Sequence, residues 1–156
     1  MDALIDALLA WVAGNSDYDT TAMPHPAVVE LSPQELTLEF YNGIASLMPE
    51  DGVDERLNAL FAVTDGPNGT IYILDAATIE GAAHYDDPHQ NPLWREILLH
   101  ELVHHAQAQS GATAHWECRR FGEMEAYTLG GRYLKQKRID DPMPNRMFWA
   151  HAYSTC

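Results

Sequence analysis

Basic residues are scarce in this 156-residue chain: nine Lys and Arg stand against 23 Asp and Glu, a formal charge of −14. Phosphate recognition needs clustered Lys and Arg, so the composition argues against a nucleic-acid partner. The deficit is uneven. Before Trp94 there are sixteen acids and a single base, Arg56, whereas from Arg95 onward eight bases meet seven acids. The only basic cluster, Arg119, Arg120, Arg132, Lys135, Lys137 and Arg138, reads as a solvated helix face. Long apolar runs are also lacking, and none approaches the ~18 residues of a membrane helix. The N-terminal ALIDALLAWVA is interrupted by Asp6 and has no basic lead-in, so it does not read as a signal peptide. Cysteine is rarer still, limited to Cys118 and Cys156. A pair with one member at the very end suggests a staple holding the tail to a helix. That reading favours an extracytoplasmic home, and two unrelated thiols are the alternative.

What is present fits one globular domain spanning residues 1–156. Hydrophobic residues make up 46% and charged residues 21%, enough apolar material for a core without disulfide staples. Leu4, Ile5, Leu8, Leu9 and Val12 share one face of an expected helix over residues 2–13. A short strand is expected at 27–31. Ser32-Pro33-Gln34-Glu35 then carries a cap, a proline at the first helical position and a capping box. Residues 57–64 and 70–74 flank Asp65-Gly66-Pro67-Asn68-Gly69, the pattern of a hairpin. Residues 75–90 read as irregular. Asn91-Pro92 opens a helix that Gly111 closes. A last long helix is expected from about 114 to 138, where Gly122, Gly130 and Gly131 allow a neighbour to approach closely or the helix to kink. The tail, 140–156, reads as irregular packing.

The helix opened by Asn91-Pro92 carries the chemistry. His100-Glu101-Leu102-Val103-His104 is H-E-x-x-H. Residues four apart on a helix lie about 40° apart around its axis and about 6 Å apart along it. Both imidazoles can therefore reach one ion, while Glu101 flanks them, placed to handle a proton of water rather than to ligate. Apolar Ile97, Leu98 and Leu99 indicate a buried helix, where histidines need partners. A helix returning antiparallel would bring Glu123, nineteen residues after His104, back to the pair. Two histidines and one glutamate leave a fourth position open, as in catalytic zinc sites. Glu125 is the rival third ligand, since residues two apart project about 200° apart and only one can face the ion. His105 shares a face with Glu101 and reads as a partly exposed bystander. His115, His151 and Tyr153 are weaker candidates for contacts to the reacting group. Met124 and Trp116 read as core.

On these residues the chain resembles the gluzincin type of zincin metallopeptidase, which has H-E-x-x-H on one helix and a glutamate ligand on a later one. In several branches that ligand lies in E-x-x-A-D, and Glu123-Met124-Glu125-Ala126-Tyr127 matches all but the last letter. This register favours Glu123. Tyr127 stands where the family's orienting aspartate would be, so it is expected to face the site and to orient a histidine or steady an oxyanion. The chain is also similar to small bacterial proteins with a His-Glu-Leu-Val-His-His helix, a cysteine before Glu-x-Glu-Ala-Tyr and a cysteine near the end. The resemblance covers about 71–156. It implies a compact α+β domain whose small, mostly antiparallel sheet packs an edge strand on the active-site helix, with a second helix bearing the third ligand. It implies one Zn²⁺ per chain and a peptide or protein substrate, paired in the family by an edge strand that corresponds to Ile71, Tyr72, Ile73 and Leu74. A catalytically latent zinc-binding module that docks a partner protein, its groove covered by residues 140–156, is the competing expectation.

Overall fold

Apolar periodicity translates directly into the first helix. In the computed structural model, which describes residues 1–156, α1 (Asp2–Asn15) buries Ile5, Leu8, Leu9 and Val12. The protein is α+β, with five α-helices and one small mixed sheet. The chain divides into two compact units: residues 26–98, and residues 1–25 together with 99–156.

The sheet lies in the continuous unit. β1 (Ala27–Leu31), β2 (Ala59–Ala62) and β3 (Thr70–Leu74) are ordered β1-β3-β2. The expected hairpin is present as antiparallel β2 and β3. β1 adds on the other side of β3 in parallel, from Ala27 against Thr70 to Leu31 against Leu74. A parallel neighbour needs a crossover, and α2 (Pro33–Phe40) begins it. Ser32 and Glu35 cap that helix reciprocally, as their spacing predicts. Two expectations are corrected here. The sheet is mixed rather than mostly antiparallel. The strand of Ile71, Tyr72, Ile73 and Leu74 is central, so its backbone is paired on both sides and it offers no edge to a substrate. Ile71 and Ile73 are fully buried.

In the other unit α4 (Phe121–Lys137) packs against α5 (Arg146–Tyr153). Trp11 meets Tyr133 edge-on and donates to Gln136 Oε1 at 2.9 Å, while Arg132 donates to the Asn15 carbonyl, so α1 is tied to α4. α4 starts later than the sequence suggested. Residues 112–115 form a 3-10 turn instead, and the chain through Cys118 turns before the helix begins. α5 replaces the irregular tail. Its Arg146 makes a two-point ion pair with Asp141 and lies against Gly131, where an added Cβ would stand 2.8 Å from Arg146 Cδ. Cys118 and Cys156 form a disulfide. No helix is long and apolar enough to cross a membrane.

Candidate metal centre

The helix α3 (Pro92–Gln109) carries the H-E-x-x-H residues, and Asn91 Oδ1 accepts from Leu93 N to cap its start. The division between the two units falls within α3, before Leu99, so every residue of the site belongs to one unit. Leu98, Leu99, Leu102, Val103 and Ala106 are fully buried, which fixes the rotation of the helix. His100 and His104 then share one face, with ring centroids 4.9 Å apart.

Glu123, in the first turn of α4, completes the group. His100 Nε2 lies 3.1 Å and His104 Nε2 3.4 Å from the same oxygen, Glu123 Oε2. The two Nε2 atoms are 3.2 Å apart. Ligand atoms of a tetrahedral ion with bonds of about 2.0–2.1 Å stand about 3.3 Å from one another. The three donors therefore already have the mutual spacing of one face of such a tetrahedron, and His100, His104 and Glu123 could hold a metal ion. Glu125 is turned elsewhere. Its Oε2 accepts from Tyr18 Oη at 2.6 Å and from Gln107 Nε2 at 3.1 Å.

Electrostatics polarise the cluster. Burial alone would push the His104 pKa down and that of Glu123 up. The hydrogen bond between them and the charges of Glu101 and Glu123 outweigh burial and raise His104 to about 9. Hydrogen bonds from His100 and His104 similarly hold Glu123 well below the ordinary carboxylate range, against its desolvation. Glu101 is buried, and its charge contributes to the field at His104. Tyr127, one turn beyond Glu123, sets its ring edge-on to His100 with centroids 4.6 Å apart. Tyr153 stacks on Tyr127 and Trp149 on Tyr153, so α5 adds two more rings to the same column.

Other expectations fare differently. His105 is fully buried rather than partly exposed, and its Nε2 donates to the Pro24 carbonyl at 2.7 Å. It anchors the N-terminal segment. His115 and His151 are exposed and stand outside the metal-ligating group, while Trp116 and Met124 are half-buried. Two residues escaped the sequence reading. Gln107 lies one turn beyond His104 on the same helix, and its Oε1 accepts from His104 Nδ1 at 2.9 Å. Tyr18 reaches the site from a segment 107 positions away from Glu125, a separation no local pattern reveals.

The fold and site together define an α+β domain in which two helices converge on a His, His and Glu cluster. The chain belongs to the DUF6647 family, described as a domain of unknown function, which it matches over residues 1–153. No curated protein and no solved structure matches it.

Proposed function

We propose that the protein is a zinc-dependent metallopeptidase. One observation carries this reading: His100 Nε2, His104 Nε2 and Glu123 Oε2 stand 3.1–3.4 Å from one another on an H-E-x-x-H helix and its neighbour. These three side chains would hold the ion. Bound zinc would supply a Lewis acid that polarises a carbonyl and lowers the pKa of water toward about 7. Glu101 takes one proton from the attacking water as its oxygen bonds to the peptide carbonyl carbon. It returns that proton to the departing amine as the C–N bond breaks. Tyr127 acts through its contact with the His100 ring, keeping that imidazole in place. The disulfide supports an oxidising, extracytoplasmic location.

The test uses the purified chain. Zinc should be present at about one equivalent. Glu101→Gln should retain it and lose peptide hydrolysis by about 10²–10⁴-fold, the usual worth of a general base. A Glu101→Gln variant that cleaves as fast as the parent would remove Glu101 from the mechanism. One observation favours a second reading, a latent zinc-binding module: Tyr153 of the tail stacks on Tyr127, whose ring touches His100. Metal bound with no cleavage of casein, by the parent or by Tyr153→Ala, would select that reading.

A further inference from the structure

H-E-x-x-H states which nitrogens face an ion and leaves open what holds them there. For His104 the partner is Gln107, which is 1% exposed. Its Oε1 takes the His104 Nδ1 proton at 2.9 Å. Its Nε2 has two hydrogens, and both are used, toward the Gly122 carbonyl and Glu125 Oε2, each at 3.1 Å. Flipping the carboxamide would set its oxygen against a carbonyl and a carboxylate, two acceptors without a proton to offer. The amide therefore has one orientation. Its oxygen faces His104 and the shared proton sits on Nδ1, so when His104 gives up its other proton to bind an ion the lone pair is on Nε2, the atom beside His100 and Glu123. Tyr18 closes the row by donating to the same Glu125 oxygen at 2.6 Å. Gly122 leaves the space: a Cβ there would stand 2.9 Å from Gln107 Cδ and 3.0 Å from the Trp116 ring.

We infer that Tyr18, Glu125 and Gln107 form a positioning chain that sets the tautomer and orientation of His104, so that metal affinity depends on three residues that touch no metal. This rests on reading the cluster as a metal centre. None of the three is a catalytic residue. The N-terminal segment carrying Tyr18 thereby becomes part of the site, although it holds no ligand.

The experiment measures zinc affinity of the full chain at pH 7 by competition with a chromophoric chelator. Gln107→Leu, close in volume but without the amide, should bind zinc about 10–100-fold more weakly, as loss of a ligand's hydrogen-bond partner generally does. Glu125→Ala should also weaken binding, and the double variant should be no weaker than Gln107→Leu alone, because both act along one path. In the zinc-loaded parent the His104 Nδ1 proton should appear as a slowly exchanging imidazole resonance that Gln107→Leu abolishes. Affinity of Gln107→Leu within about twofold of the parent, fully additive losses, or survival of that resonance would overturn the chain. If Gln107→Leu does not fold, Glu125→Ala and Tyr18→Phe decide: weaker zinc binding supports the chain and unchanged binding overturns it. His104→Ala separates the two levels. Parent-like zinc binding by His104→Ala refutes the metal centre itself. Loss of zinc there, with zinc retained by Gln107→Leu, refutes only the positioning chain.

Discussion

His104 and Glu123 are charged before any ion arrives. The raised pKa of the histidine, about 9, and the depressed one of the glutamate make them an ion pair at neutral pH. A cation must displace the His104 proton, because only neutral imidazole ligates. Affinity should therefore rise about tenfold per pH unit up to about 9 and then flatten, with roughly one proton released per ion at pH 7. Calorimetric titrations in buffers of different ionisation enthalpy give that proton count directly. Affinity that does not change between pH 7 and 9 would show that His104 is already neutral at pH 7 and that the ion pair with Glu123 does not form. The metal-free fold follows the opposite linkage. A raised histidine stabilises fully below its unfolded value, about 6.5, and this is lost as pH rises through the folded value. A depressed glutamate stabilises above about 4.3, and this is lost as pH falls toward its folded value.

The pairing of α3 and α4 shows what a sequence can disclose about a site. Helical period alone places His100 and His104 together, because neighbours four apart must share a face. Choosing Glu123 over Glu125 rested on the family resemblance, whose E-x-x-A pattern Glu123 and Ala126 fit. Gln107 lies three residues beyond His104, also within one helical turn, but glutamine is an ordinary surface residue and nothing in its type announces a partner. Tyr18 and the parallel partner of β3 depend on contacts between distant segments, which propensity does not encode. α5 is two turns long, and its helical pattern is too short to separate from a loop. Gly122 exposes the same division between local and tertiary terms. By propensity, Gly122→Ala should stabilise α4 by about 1 kcal/mol. By packing, the new methyl displaces a buried carboxamide that makes three hydrogen bonds, each worth about 1 kcal/mol. The second term is larger, so thermal unfolding should show a net loss of about 1–2 kcal/mol, accompanied by weaker zinc binding. A Gly122→Ala protein that is more stable than the parent and binds zinc equally well would show that Gln107 has room to move.

For the molecule as a whole, the acidic bias before Trp94 and the covalent staple after it lie in different stretches of chain. The staple spans 38 residues and encloses all of α4 and α5, including Glu123, Gly122 and the Tyr127, Tyr153 and Trp149 column. Closing a loop of that length removes chain entropy from the unfolded state worth roughly 4 kcal/mol. For a chain of this size that corresponds to a melting temperature lower by roughly 10 °C when the bond is absent. The loss should be global rather than a local loosening of the tail, because α5 is also held by the ion pair of buried Arg146 with Asp141 and by Ala150, which is fully buried. Cys156→Ser should therefore still fold. Its melting temperature should match that of the parent in reductant, and both should lie well below the oxidised parent. Zinc binding should change much less, since His100, His104 and Glu123 are set by α3 and the first turn of α4. A melting temperature unmoved by reductant would mean that non-covalent packing of α5 alone fixes the tail. Zinc affinity falling in parallel with stability would mean that the placement of Glu123 depends on the bond at Cys118.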